Sequence, residues 1–188
     1  MPEIIPTTKG AILRSLVAFV RGDLSPEQYA HALASLPVSD RQLIEQPAIL
    51  PTEKVPEFTL NRLTVEAARA KGEPLDSFAR RAGRAELADA VGVYRFFIIV
   101  LTPKALLKKA SALWATVHSH GSLTVEDETP KSARVRLSNF PSEEAHCLRL
   151  SGWFEGSGDM TRVKNARVVH DRCMLRGDAD CQWQLSWE

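Results

Sequence analysis

His170-Asp-Arg-Cys173-Met-Leu-Arg-Gly-Asp-Ala-Asp-Cys181-Gln-Trp-Gln-Leu-Ser-Trp187 is the stretch on which the reading of this chain turns. Its two cysteines and one histidine are joined by a single further cysteine in the sequence, Cys147. Three thiols and one imidazole are the ligand complement of a closed tetrahedral zinc site. A turn at Gly177-Asp178 makes Cys173 and Cys181 cross-strand neighbours, with Cβ atoms roughly 4.5–5.5 Å apart. A modest lean brings two thiolates to the roughly 3.8 Å separation that zinc–sulfur bonds of about 2.3 Å require. His170 lies three residues before Cys173 and points to the opposite face of a regular strand. A bulge near Asp171-Arg172 must therefore re-aim one of the two. Two plainer readings stay open: the cysteines are small buried hydrophobes, or Cys173 and Cys181 form a cross-strand disulfide.

The period of the sequence around this stretch is that of strands. Cys181, Trp183, Leu185 and Trp187 share one face, with Gln182, Gln184 and Ser186 on the other. Leu123 and Val125, then Ala133, Val135 and Leu137, alternate with polar residues on either side of Asp127–Lys131, which predicts a hairpin. A further strand is expected near Val163–Val169. Between them, Ser142-Glu-Glu opens a helix carrying Cys147, Leu150, Ser151 and Phe154, followed by a loop at Gly156-Ser-Gly158.

Residues 8–120 read mostly as helix. The stripe Ile12, Leu13, Leu16, Val17, Phe19 and Val20 ends at Gly22. Ser25-Pro26 caps a second helix and Ser39 a short third. The prolines at 47, 51 and 56 mark an irregular connection. Helix resumes over Phe58–Ala70, and again from Leu75 with a potential break at Gly83. Val93–Leu101 fits strand or buried helix. Thr102-Pro103 opens a helix running to about Val117. The fold class expected is α+β: an N-terminal helical region, then a four-stranded antiparallel sheet packed on helices, with a zinc-stapled C-terminal hairpin.

Bulk properties exclude several functions. The chain has 188 residues, with 24 Lys plus Arg against 23 Asp plus Glu, a net charge of +1. That length suits a single domain over 1–188, with a subdivision into a helical region 1–90 and a sheet region 91–188 as the variant. The charge balance gives no general attraction to nucleic acid or to an anionic membrane, and the longest apolar run, Phe96–Leu101, is far short of a membrane span. An odd number of cysteines argues against a disulfide framework and for a cytoplasmic protein. No Gly-x-Ser-x-Gly, phosphate loop or His-Glu-x-x-His occurs. A four-ligand metal leaves no open position for water, so a non-enzymatic protein is expected. Asp76, Glu86 and Asp89 read as solvated helix faces, and Arg80, Arg81 and Arg84 as a small basic cluster. His118 and His120 read as surface residues at a helix end, although Trp114 and His118 are spaced to share one helix face. Neither histidine sits in a haem-attachment pattern.

The pattern His170-x2-Cys173-x4-Gly177-Asp178-x2-Cys181-x-Trp183 resembles the end of the 4-vinyl reductase domain, which also forms the sensory part of bacterial activators responding to phenol and related aromatics. The resemblance covers about residues 142–187. It implies a structural Zn2+ held by Cys147, His170, Cys173 and Cys181, His170 standing where those sensors carry an acidic ligand. It also implies an apolar cavity between helices and sheet for a hydrophobic or aromatic small molecule. Tyr94, Phe96, Phe97, Trp114, His118, Trp153 and Phe154 are the candidate lining. On this reading the chain is a homodimeric sensory domain acting through a downstream protein partner. The alternative is a scaffold module of the TRAPP-like fold, with a filled interior and a structural zinc. An enzyme acting on a tetrapyrrole-like or other hydrophobic substrate ranks third.

Overall fold

The computed structural model of the protein describes residues 5–91, 103–161 and 163–188. A short strand β1 (Thr7–Lys9) leads into helices α1 (Gly10–Asp23), α2 (Pro26–Ala34) and α3 (Val38–Ile44). Strand β2 (Lys54–Pro56) is followed by α4 (Glu57–Lys71) and α5 (Leu75–Val91). Helix α6 (Pro103–Val117) precedes the hairpin β3 (Ser122–Thr129) and β4 (Ser132–Ser138). Helix α7 (Glu144–Met160), β5 (Arg167–Arg172), a 3-10 turn at Met174–Arg176 and β6 (Cys181–Ser186) complete the chain. None of the described helices is long and apolar enough to cross a membrane.

Local chemistry sets most of these boundaries. Ser25 accepts a hydrogen bond from the Gln28 backbone N–H while the Gln28 side chain takes that of Ser25, a reciprocal capping box that starts α2. Gly72 ends α4 in the left-handed region at φ 71°. β1, before α1, and β2, after α3, pair antiparallel as a separate two-stranded sheet. The proline-rich connection around Pro47, Pro51 and Pro56 hides one of these strands, which is too short to show a period.

The main sheet is antiparallel with the order β3-β4-β6-β5. β6 lies inside it, opposing Val135 with Trp183 on one side and pairing His170 with Trp183 on the other. Burial follows the predicted alternation along β4, with Ala133, Val135 and Leu137 inward. The four-stranded antiparallel sheet packed on helices is thus present. β5 begins at Arg167, not Val163. Its register shifts between His170 and Arg172, which places a bulge at Asp171 where the sequence requires one.

Two apolar clusters hold the chain. One gathers Leu13, Leu16, Val20, Leu60, Leu63 and Phe78 among α1–α5. The other gathers Trp114, Leu137, Phe140, Phe154 and Trp183 between the sheet and α6 and α7. Helices α5 and α7 join the two regions by crossing with their backbones nearly touching. A Cβ on Gly83 would fall 1.9 Å from the Arg149 carbonyl oxygen, and one on Gly152 would fall 2.0 Å from that of Arg80. Gly83 therefore does not break α5, and Gly156 and Gly158 lie within α7 instead of forming a loop. Gly83, Gly152 and Gly156 serve interhelical approach, while Gly158 makes room for Ala166, and a helix tolerates each at about 1 kcal/mol relative to alanine.

This crossing yields a clear expectation. Gly83→Ala improves helix propensity, yet it should lower unfolding free energy by about 1–3 kcal/mol because the helices must part. Urea denaturation measures it, and a variant as stable as the parent would contradict the close crossing.

Candidate functional site

Two clusters of chemically capable side chains emerge, on either side of α7. The first is the sulfur group. Cys147 faces the sheet from α7, Cys181 opens β6, Cys173 stands at the start of the 3-10 turn, and the Asp171 bulge turns His170 the same way. One ligand atom from each of the four lies within 4.8 Å of the others. The sulfurs of Cys147 and Cys173 are 3.9 Å and 3.8 Å from that of Cys181. All three thiols are free, so the cross-strand disulfide does not form. The Cys173 N–H donates to the Asp178 carboxylate at 2.8 Å, and Gly177, at φ 91°, supplies the left-handed residue of the turn. His170 stacks on Trp183 with ring centroids 4.4 Å apart. Cys147 donating to Cys181 pushes the Cys147 thiol up and the Cys181 thiol down. Met174 N–H also donates to Cys181, at 3.5 Å.

The second cluster lies toward the helical region. A cavity of about 140 Å³ opens between α6, α7 and β3. Leu113, Trp114, Val117, Leu123, Leu150, Trp153 and Phe154 form much of its wall, and Glu86, His118, His146 and Arg149 form a polar end. The structure thus brings together Trp114, His118, Trp153 and Phe154 of the expected lining. Tyr94, Phe96 and Phe97 lie outside the described residues.

Behind that polar end is a buried ion network. Arg149 on α7 donates to Glu86 on α5 (Nε–Oε1 2.9 Å, Nη2–Oε2 3.4 Å). It reaches Asn61 and Glu57 on α4 through Nη1, at 3.0 Å and 3.5 Å. His146 Nε2 is 3.8 Å from Glu57 Oε1, and His118 Nδ1 is 3.6 Å from Glu57 Oε2. Those last two distances are too long for hydrogen bonds. The outer oxygen of Glu57 and the Nδ1 atoms of His118 and His146 accordingly lack hydrogen-bond partners among the described residues. His118 stacks on Trp114 at 3.9 Å and His146 on Phe140 at 4.5 Å.

This network overturns several expectations. Glu86 is not on a solvated face: its side chain is 6% exposed and ion-paired. His118 is not a surface helix-end residue but turns inward beside Glu57. Arg80, Arg81 and Arg84 form no free basic patch, because they pair with Asp76, Glu155, Asp23, Glu73 and Asp159. Glu57, Asn61, His146 and Arg149 were not anticipated. Glu57 and Asn61 are one helical turn apart, as are His146 and Arg149, but charged residues at that spacing ordinarily mark a solvated face.

The electrostatics follow from burial and proximity. Burial pushes Glu57 up, but His118, His146 and Arg149 outweigh it and hold the carboxyl at about 2. Burial dominates at His146, lowering it to about 3 against the pull of Glu57. Burial also dominates at Glu86 and raises it against Arg149.

Solved structures similar to this chain include H-NOX proteins. One, from S. oneidensis in the Fe(II)NO ligation state, has 14% identity and a TM-score of 0.72, covering 96% of this chain and 99% of that one. An oxygen-binding H-NOX domain related to soluble guanylate cyclases, in its oxygen complex, has 12% identity and a TM-score of 0.71, covering 96% and 95%. An Fe(II) unliganded H-NOX variant from K. algicida has 10% identity and a TM-score of 0.73, covering 96% of each. No family model matches the chain, and no curated protein does. The 4-vinyl reductase and TRAPP-like assignment is therefore corrected: the whole-chain likeness is to the H-NOX fold. The structural Zn2+ inferred through that resemblance loses its support with it, since these neighbours are described by iron ligation states and others by haem distortion.

The buried network predicts a stability profile. His146 binds a proton in the unfolded chain below about pH 6.5 but in the folded one only near 3, so its contribution is lost as pH falls through that window. Glu57, depressed from 4.5 to about 2, contributes above 4.5 and loses its contribution below it. Glu86, raised by burial, opposes this above 4.5. Urea midpoints should therefore decline on acidification below pH 6.5 and steepen below 4.5, and His146→Phe should flatten the first leg. An unchanged first leg in that variant would remove His146 from the account.

Proposed function

We propose that this chain is a non-enzymatic small-molecule-binding domain whose ligand occupies the cavity beside Trp114, His118 and His146. The observation that carries this reading is an apolar chamber of about 140 Å³ closed at one end by buried, partly unpartnered polar groups. That is the composition of a ligand pocket, with apolar walls and a few orienting polar atoms. The scaffold alternative requires a filled interior and draws no support from such a chamber. Its occupancy would be passed to a partner protein through α5 and α7, which carry both sides of the ion network.

Haem is the group that the similar solved structures suggest, and the described residues do not fit it. Pockets that take drug-sized ligands span about 300–1,000 Å³, at least twice this chamber of about 140 Å³. The two imidazoles at the cavity, the candidate axial ligands, are stacked against Trp114 and Phe140. The two carboxylates of a haem would meet Glu86 and Glu57, and Arg149 is already committed to both. The chamber is instead close to the roughly 150 Å³ at which an apolar protein cavity admits benzene.

Benzene, followed by tryptophan fluorescence and thermal shift, should bind and stabilise the protein, while added hemin should give no stoichiometric Soret change. Leu123→Phe, which fills the chamber from β3, should abolish the benzene effect and leave the fold intact. Benzene binding that survives this substitution, or a stoichiometric haem complex, would sink the reading.

We further propose that Cys147, His170, Cys173 and Cys181 close on one soft metal ion, fastening α7 to the β5–β6 connection. Sulfur separations of 3.8 and 3.9 Å support it, being the spacing of thiolates on one tetrahedral centre. Co2+ added to reduced protein should develop the visible bands of a thiolate-rich tetrahedral complex at one equivalent. Cys147→Ser should weaken or remove them, and a colourless mixture would refute the assignment.

A further inference from the structure

Strand β5 is an outer strand of the main sheet: in the order β3-β4-β6-β5 it has β6 on one side and no strand among the described residues on the other. The unpaired side of such a strand offers a row of backbone N–H and C=O groups on which another strand can form. Proline, which would interrupt that row, is absent from Arg167–Arg172. A bulge blunts an edge where it interrupts pairing, but the one at Asp171 stands near the end of β5 and leaves Arg167–His170 in continuous register with β6. Two of the large apolar side chains exposed among the described residues lie here. Val169, at the middle of β5, is 56% exposed, and Leu175, in the turn that follows, is 53% exposed.

The charges of this strand are disposed about its centre. Arg167 and Asp171 are both exposed, one on each side of Val169 at equal distance along the chain. Neither has an ion-pair partner among the described residues. The length of strand between them is roughly 13 Å, so they cannot pair with each other in one copy. We infer that β5 pairs antiparallel with β5 of a second copy of this chain, about a two-fold axis at Val169, so that two four-stranded sheets become one continuous sheet. In that register Val169 meets its own counterpart, and Arg167 of each copy meets Asp171 of the other. Opposite charges directly across a strand pair stabilise it, and like charges destabilise it. A slip of one residue sets Arg167 against Arg172 of the second copy, and in-register parallel pairing sets every charge against itself. A different protein would have to bring a cation and an anion in the reverse order, whereas a second copy supplies them by symmetry, as a self-complementary two-fold contact requires. One short strand per copy covers less than the roughly 1,200 Å² of a stable interface, so the association is weak and concentration-dependent.

Sedimentation equilibrium of the intact, reduced chain at low salt tests this, from about 10 μM to about 1 mM, the range in which weak contacts form. The average mass should rise from the 20.8 kDa of one chain toward twice that value. Arg167→Asp and Asp171→Arg each replace both symmetric attractions by repulsions, so each alone should raise the dissociation constant at least tenfold. Combining the two reversals restores opposite charges across the axis and should return the constant to within threefold of the parent. Circular dichroism and urea midpoints equal to the parent's show that the reversals act on association and not on folding. A chain that stays monomeric throughout the range overturns the inference. So does a dimer that tolerates either single reversal, or a double reversal that associates no better than the single ones, because the contact would then not lie in this register.

Discussion

The desolvation of Arg149 is the constraint around which this structure is arranged. The α5–α7 crossing is close enough that only hydrogen fits at Gly83 and Gly152. Glu86 lies one turn beyond Gly83 on α5, so the same approach delivers its carboxylate to the guanidinium. Stripping water from a guanidinium costs several kcal/mol, which ion pairing offsets only when the geometry is good and the remaining donors are met. Arg149 meets that condition by reaching α4 as well, through Asn61 and Glu57. Three helices are thereby held in one relative placement, and the two apolar clusters are coupled through a polar contact that cannot slide.

The sheet supplies the other half of the frame by a different device. Trp183 on β6 is fully buried, and its indole N–H donates to Ser151 on α7 at 2.9 Å. Its ring lies edge-on to Phe154 and stacks with His170 across the strand pair. The single bulge at Asp171 lets β5 continue its ladder while turning Cys173 toward Cys181 and Cys147. Helix α7 thus shows its cysteine side to the sheet and its His146–Arg149 side to the helical region. One element carries both candidate sites.

Much of this was legible where periodicity and burial coincide. The alternation along Ala133–Leu137 and Cys181–Trp187 gave the central strands, and His170 and Cys173, three apart, demanded the bulge that is found. The glycines misled because their local role and their packing role conflict. Gly83, Gly156 and Gly158 weaken a helix on propensity alone, and only close neighbours distant in sequence, the Arg149 backbone, Leu87 and Ala166, explain their presence within one. The ion network was invisible for a related reason. A glutamate on a helix is identical in sequence whether it faces water or an arginine on another helix. Glu57, Glu86 and Arg149 are far apart in the chain, and no local spacing links them. His118 was misplaced because a helix end is ordinarily solvated, whereas this one abuts the start of α4. The family likeness failed at a larger scale: the cysteine and glycine pattern describes one corner, while the path of the whole chain follows H-NOX structures.

A shared fold fixes where a chamber can lie, not what fills it. In this chain the space between α6, α7 and β3 is reduced by inward histidines stacked on Trp114 and Phe140 and by charges that a soluble helix would ordinarily turn outward. Each of those side chains is costly to bury singly. Together they are tolerable because Arg149 answers both carboxylates, and His118 and His146 line the chamber beside it. Polar atoms that contributed only rigidity would be expected to find partners within the network, since an unmet buried acceptor costs about 1–3 kcal/mol. The Nδ1 atoms of His118 and His146, without partners among the described residues and at the cavity's polar end, are what the ligand-binding proposal rests on.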